Sequence, residues 1–213
     1  MSLLAMSDYV LGAEAEVSRP ERYVLWIDGV GAWLLSIGKA FTIGGPASDA
    51  AADLSLLANL SRKHATLERS GERYILHAHS PVSIAGRPIH ERADLCDGND
   101  LLFGTNVRMR FRLPSVMSGS ARLEFLSDHR PGFAADGVVL MEDTCLLGPT
   151  VENHILCPRW PQSIILYRRD GQLFCKARDD LFINGAHTPA GGVLVPGTVV
   201  TGVEIRFRIE ALR

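Results

Sequence analysis

The second half of this sequence repeats the first, and that repeat limits the possible folds more than any other feature. Five short segments recur in the same order, 96 to 104 positions later. The matched pairs are 42–46 with 146–149, 71 with 171, 84–86 with 183–185, 97–98 with 196–197, and 110–112 with 206–208. A period of about 100 residues is that of a domain and is too long for a solenoid. The sequence therefore predicts two copies of one domain.

Short apolar runs separated by turn signals indicate that the copies are built from strands. Residues 23–28 and 32–37 are rich in β-branched and aromatic side chains, and a glycine follows each run. Residues 107–113 alternate apolar and basic side chains, which is typical of a strand with one buried face. The stretch 48–59 is predicted to be a loop with at most one helical turn, followed by a very short strand. The spacing predicts an all-β chain of two antiparallel β-sandwiches in tandem.

Composition suggests where the copies begin and end. Residues 1–21 are predicted to be a leader or mobile N-terminal segment, 22–113 the first domain and 122–213 the second. The linker between them is predicted at 114–121, which is rich in proline, serine and glycine. The N-terminus lacks the basic region of a signal peptide, and no apolar run reaches the ~18 residues of a membrane span. A cytoplasmic location is therefore expected.

Charge and cysteine spacing argue against several classes of function. The 22 basic and 24 acidic residues give a net charge of −2, so neither nucleic acid nor an anionic membrane is expected as a partner. Cys96, Cys145, Cys157 and Cys175 lie far apart and form no C-x-x-C pair. Free thiols are therefore predicted, without a disulfide framework or a zinc site.

An ordered series of motifs in the first copy resembles a known family. The apolar run 41–45 ends in two glycines, and the polar, basic turn 59–65 contains Ser61-x-x-His64. Segments 84–86 and 95–101 follow in that order. Together these resemble the forkhead-associated (FHA) domain, a β-sandwich whose loops bind phosphothreonine peptides. The resemblance covers residues 23–113.

The resemblance implies a phosphopeptide site on the loops of the first copy. Ser61 matches the serine whose hydroxyl donates to the phosphate, and Arg62 and Lys63 add cations beside it. Ser80 stands at the position of the residue that anchors the peptide backbone. His64 matches the histidine that ties two loops together and is expected to be structural. A phosphate carries nearly two negative charges, so it needs fixed donors and at least one cation.

Two positions of the first copy depart from the family pattern. Gly45 stands where the family has its phosphate-binding arginine, and 80–82 stand where it has Asn-Gly-Thr. One missing charge-assisted contact costs about 1.5–3 kcal/mol, so weak binding is predicted, and Gly45→Arg is expected to raise the affinity if the pocket is intact. In the second copy Pro149 and 161–164 occupy the arginine and Ser-x-x-His positions, so no phosphate site is expected there.

Three alternatives to phosphothreonine recognition stay open at the level of sequence. The Ser61 turn also fits an ordinary solvated surface. A degenerate pair of domains could act as a phosphate-independent scaffold or self-association module, using surface near Trp160, which is expected to be exposed. A metal enzyme or hydrolase around His77 and His79 lacks a third ligand, a Gly-x-Ser-x-Gly motif and a P-loop. The favoured interpretation is a non-catalytic protein-interaction module without a cofactor.

Overall fold

Every regular element of this chain is a β-strand wherever its structure is described. The computed structural model describes residues 21–47, 52–115 and 117–212. The prediction of an all-β fold is confirmed. The predicted leader falls outside the described residues except at its last position. The helical turn allowed for within 48–59 falls partly outside them.

Within the described residues the strands form two similar series of eleven. The first series is β1 (Glu21–Ile27), β2 (Gly31–Ile37), β3 (Ala40–Gly44), β4 (Leu54–Ser55), β5 (Ala65–Ser70), β6 (Arg73–Ala78), β7 (Val82–Ile84), β8 (Arg87–Ile89), β9 (Arg92–Leu95), β10 (Asp100–Phe103) and β11 (Val107–Arg112). The second series is β12 (Ala121–Phe125), β13 (Gly137–Met141), β14 (Thr144–Gly148), β15 (Ile155–Leu156), β16 (Ile164–Arg169), β17 (Gln172–Lys176), β18 (Leu181–Ile183), β19 (Ala186–Thr188), β20 (Gly192–Leu194), β21 (Val199–Gly202) and β22 (Ile205–Ala211). The very short strand predicted near residue 54 is β4.

The described strands assemble into one long sheet and two short ones. The central sheet has 12 strands in the order β19-β18-β21-β22-β1-β2-β13-β12-β11-β10-β7-β8. The five-stranded sheets have the orders β4-β3-β5-β6-β9 and β15-β14-β16-β17-β20. In the described residues the ladders are antiparallel except for β2–β13, β3–β4 and β14–β15, which are parallel.

The two short sheets cover opposite faces of the central sheet. Leu34 of β2 and Val138 of β13 lie in one hydrophobic core. Their neighbours Leu35 and Val139 lie in the other. Successive side chains of a strand point to opposite faces, so the cores must lie on the two sides of the β2–β13 pair. We call β3–β11 with β12 and β13 the first sandwich, and β14–β22 with β1 and β2 the second sandwich.

Each sandwich contains a hairpin from the other half of the chain. The β1–β2 hairpin pairs with β22 and places Leu25 and Ile27 in the core of the second sandwich. The β12–β13 hairpin pairs with β11 and places Leu123 and Leu140 in the core of the first. The division of the sequence into domains 22–113 and 122–213 rests on the repeat and stays a prediction. Each of the two hydrophobic cores contains strands from both of these parts.

The segment predicted to be a linker is docked on the protein. Ser118 and Ser120 are buried, and the Ser120 hydroxyl donates to the carbonyl of Thr144 at 2.7 Å. The Ser118 hydroxyl lies 2.8 Å from Nε2 of the fully buried His154. A further hydrogen bond between the sandwiches runs from Arg22 to the Asp53 carbonyl, at 2.9 Å. Side chains therefore fasten the two sandwiches to each other in addition to the shared sheet.

Candidate functional site

His64 is a buried histidine that ties three loops of the first sandwich together. Its side chain lies edge-on to Phe103, and its backbone N–H donates to the Ile43 carbonyl at 2.9 Å. Ring Nδ1 accepts from the Ser61 N–H at 3.3 Å, and Nε2 lies 2.9 Å from the Pro81 carbonyl. The neutral tautomer with its proton on Nε2 satisfies both contacts, and the Gly104 N–H, which lies 3.1 Å from Nε2, donates to the Pro81 carbonyl at 2.9 Å. The loop that carries Ser61 is thereby fixed relative to the loop that carries Pro81.

This arrangement brings two hydroxyl groups together at the surface. The backbone N–H of Ser80 donates to the His64 carbonyl at 3.1 Å, and its hydroxyl donates to Oγ of Ser61 at 2.8 Å. Ser61 is exposed, and its own hydroxyl proton has no acceptor among the described residues. A hydroxyl can donate and accept at once, so Ser61 can receive the Ser80 bond while donating to a ligand.

Positive charge lies beside the two hydroxyls. Arg62 and Lys63 are both exposed in the turn that follows Ser61. His79 lies close by, with Nε2 2.9 Å from the Thr66 hydroxyl. Burial is the largest cause of a lowered His79 pKa, and the positive charge of Lys63 is the next. His79 therefore favours its neutral form near pH 7. The cationic charge of the site comes from Arg62 and Lys63.

The condition for a gain in affinity from arginine at position 45 is not met, because the structure leaves no room for a side chain there. Gly45 is buried, and its N–H donates to the Ser61 carbonyl at 2.9 Å. A Cβ atom built on Gly45 would overlap the carbonyl oxygen of Leu60, and one built on Gly44 would overlap that of Arg62. The backbone of the Ser61 loop thus occupies the space that any side chain at position 45 would need.

We expect Gly45→Arg to destabilise the protein and to lower its affinity for phosphopeptides. Overpacking a filled site costs about 1–3 kcal/mol, and here the obstacle is backbone, which cannot rotate away. Urea unfolding of wild type and variant measures the cost. Gly132→Arg is the matched control, because a Cβ there meets nothing within 4 Å. A Gly45→Arg protein as stable as Gly132→Arg, with raised affinity, would contradict this expectation.

The corresponding loops of the second sandwich have different chemistry. The Gln162 side-chain oxygen accepts from the backbone N–H groups of Arg178 and Asp179 at 3.0 and 2.9 Å. In the first sandwich the His64 carbonyl accepts the equivalent pair of bonds, from the backbone N–H groups of His79 and Ser80. The Ser163 hydroxyl donates to Asn153 at 3.2 Å and is turned inward. These loops carry no counterpart of the hydroxyl pair.

Trp160 is buried, so the expectation that it is exposed is wrong. Only 4% of its surface is accessible, and its ring stacks on Phe207 in the second core. Its polar neighbours in the sequence gave no sign of this, because the packing partner lies on β22. The exposed tryptophan is Trp26, at 40%, which lies on the open face of β1 and donates to Glu210 at 2.6 Å.

The two histidines of the alternative metal or hydrolase site, His77 and His79, contact different side chains. Nε2 of His77 lies 2.9 Å from a carboxylate oxygen of Glu68, while His79 contacts Thr66. The described residues include no group of three potential metal ligands. Nor does any helix there have the length and apolarity needed to cross a membrane.

The four cysteines are free thiols, and burial raises the pKa of Cys157 to about 12, which leaves that thiol unreactive.

Two solved structures resemble part of this chain. The FHA domain of the CT664 protein from Chlamydia trachomatis shares 22% identity and a TM-score of 0.30, over 39% of this chain and 90% of that one. The FHA structure of Rv0020c shares 19% identity and a TM-score of 0.29, over 42% of this chain and 90% of that one. No family model and no curated protein matches the sequence. At such low identity, the side chains of this chain itself decide what it can bind.

Proposed function

We propose that this chain is a non-catalytic protein-interaction module whose first sandwich binds a phosphorylated segment of a partner, with phosphothreonine favoured. The observation that carries the proposal is the pair of hydroxyls of Ser61 and Ser80, 2.8 Å apart above the buried His64. Arg62 and Lys63 are exposed beside that pair. Fixed donors together with cations are what a phosphate group requires.

The same geometry argues against a serine hydrolase. A nucleophilic serine needs a base that accepts its hydroxyl proton. Nδ1 of His64 instead accepts from the backbone N–H of Ser61, and the Ser61 hydroxyl accepts from Ser80. The histidine orients the loop and does not activate the oxygen, so binding fits this arrangement better than nucleophilic catalysis.

Affinity should be low and should depend on Ser61 more than on either cation. A hydrogen bond to a charged group is worth about 1.5–3 kcal/mol, so Ser61→Ala should weaken binding about tenfold or more. Lys63 is exposed to solvent, so Lys63→Ala should weaken it only about two- to fivefold. Titration of a phosphothreonine peptide library against the full chain and each variant, at fixed salt, measures both effects.

Matched controls separate the site from general surface charge. Ser70 is an exposed serine at the end of β5, and Lys39 is an exposed lysine in the β2–β3 turn. Ser70→Ala and Lys39→Ala should leave the affinity unchanged, and unphosphorylated peptides should not bind at this site. Equal binding of phosphorylated and plain peptides by wild type and Ser61→Ala would eliminate the phosphate function.

A further inference from the structure

The outward faces of the two five-stranded sheets occupy equivalent places in the fold but have opposite chemistry. We call them the first outer face and the second outer face. The first outer face is mostly polar and comprises Thr42, Thr66, Glu68, Ile75, His77 and Asp94. The second outer face is mostly apolar and comprises Leu146, Ile165, Tyr167, Phe174, Lys176 and Val193.

Strand register makes these positions equivalent one by one. On the first outer face the ladders align Thr42 with Thr66 and Thr66 with His77. On the second they align Leu146 with Ile165 and Ile165 with Lys176. The next row reads Ala40, Glu68, Ile75 and Asp94 on the first face, and Thr144, Tyr167, Phe174 and Val193 on the second, so the contrast is reversed at the first position of this row and holds at the second and fourth. Position in the sheet therefore cannot explain why one face is apolar.

Polar groups of the first outer face lie close to one another. The hydroxyls of Thr42 and Thr66 lie 3.3 Å apart, and His77 lies 2.9 Å from Glu68. Such a face is suited to water, as expected for the solvated side of a sheet.

The second outer face presents apolar surface around one unpaired cation. Tyr167 and Phe174 stack with their ring centroids 5.5 Å apart, and 40% of the Val193 surface is accessible. The ammonium of Lys176 lies 5.3 Å from the centre of the Tyr167 ring and forms no ion pair with the described residues. Aromatic side chains on an open surface are enriched where proteins bind other proteins.

Two clefts open on this face and meet at Lys176. One, of about 580 Å³, is lined by Ile37, Lys39 and Tyr167 among others. The other, also about 580 Å³, is lined by Leu146, Ile165 and Arg178 among others. The first cleft also contains Glu142 and Asp143, and the second contains Glu152, so the clefts carry both signs of charge. Among the six side chains of the second outer face, however, the charged one is Lys176, which favours a partner whose apolar side chain is accompanied by a carboxylate.

We propose that the second outer face is a phosphate-independent docking site for a protein segment in which an aliphatic or aromatic residue adjoins an aspartate or glutamate. The carboxylate meets Lys176, and the apolar side chain lies on Tyr167 and Phe174. A second copy of this chain is a poorer occupant, because a twofold contact through this face would enclose two Lys176 ammonium groups in one interface. The site is separate from the Ser61 loop and uses no phosphate.

Selection of a displayed library of random unphosphorylated peptides on the full chain tests the proposal. Enriched peptides should pair an aliphatic or aromatic residue with an adjacent acidic one. The double variant Ile165→Thr, Tyr167→Glu carries the residue types of the first outer face and should bind them about thirtyfold more weakly, as for loss of an interface anchor. Lys176→Glu should also weaken binding, and changing the peptide's acidic residue to lysine should restore it.

Controls on the first sandwich and on folding complete the test. Ile75→Thr makes the same kind of change on the first outer face and should leave peptide affinity unchanged, as should Ser61→Ala. Thermal unfolding should confirm that each variant is folded. The proposal is overturned if no peptide is enriched, or if enriched peptides bind the double variant as well as wild type. It is also overturned if they depend on Ser61, or if Lys176→Glu instead abolishes a dimer in sedimentation.

Discussion

Residues 38–141 should fold by themselves into a stable monomer, whereas residues 22–113 should not. The first fragment contains β3 to β13, which are all the strands of the first sandwich, and keeps every buried residue of its core except Leu34 of β2. The second lacks β12 and β13, so β11 loses its partner strand and the core loses Ala121, Leu123, Ala135, Val138 and Leu140. Burying one large aliphatic side chain stabilises by about 1.5–3 kcal/mol. Losing Leu123, Val138 and Leu140 therefore costs about 5–9 kcal/mol, which is comparable to the whole stability of a domain, about 5–15 kcal/mol.

Circular dichroism and urea unfolding of both fragments, beside the full chain, measure this difference. A cooperative transition is expected for 38–141 and a broad transition or none for 22–113. If 22–113 unfolds cooperatively and is as stable as 38–141, then β1 and β2 can take the place of β12 and β13. The arrangement in which each sandwich contains the hairpin of the other half, and the one in which each keeps its own, would then have similar free energies.

The free energy of unfolding should fall by up to about 3 kcal/mol between pH 6.5 and pH 4 through His154 alone. Burial, the largest cause, and the nearby positive charge of Arg122 lower the pKa of His154 to about 4 from its usual 6.5. In the folded protein Nδ1 accepts from the Leu146 N–H at 2.9 Å, and Nε2 faces the Ser118 hydroxyl at 2.8 Å. The folded state therefore holds the neutral ring, while the unfolded chain takes up a proton below pH 6.5. Stability is fully present above that pH and is lost as the pH falls towards 4.

Urea unfolding of wild type and His154→Gln at pH 7 and pH 4.5 isolates this contribution. The variant should be less stable at pH 7, because two buried hydrogen bonds change, but its stability should fall less on acidification. His90→Gln, at an exposed position, should behave like wild type. If wild type and His154→Gln lose equal stability between the two pH values, His154 is not the titrating group.

Binding at the Ser61 loop and at the second outer face would give one chain two different modes of recognition. The loop offers hydroxyls and cations, and the second outer face offers apolar area with Lys176 at its centre. Because these surfaces belong to different sandwiches, single substitutions can remove one and leave the other intact. The two proposals can therefore fail separately.

Much of the fold could be predicted from the sequence because it depends on local patterns. Alternation over 107–113 predicted β11, which spans Val107–Arg112, and the alternation near residue 54 predicted β4. The order of motifs around Ser61 and His64 also indicated which loops would lie together. In the structure His64 does join the loops that carry Ser61 and Ser80.

Tertiary structure decided the features that depend on contacts between distant segments. The β1–β2 and β12–β13 hairpins both have apolar side chains that could be buried in either sandwich. The packing of the folded chain shows which core each hairpin contributes to. Space at Gly45 depends on the Leu60 backbone, and burial of Trp160 depends on Phe207. Sequence by itself determined strands, turns and the repeat, because these arise from side-chain alternation and backbone preference. Tertiary contacts decided how the hairpins pair, how much space there is at Gly45 and whether Trp160 is exposed, because each of these depends on residues that are distant in the sequence.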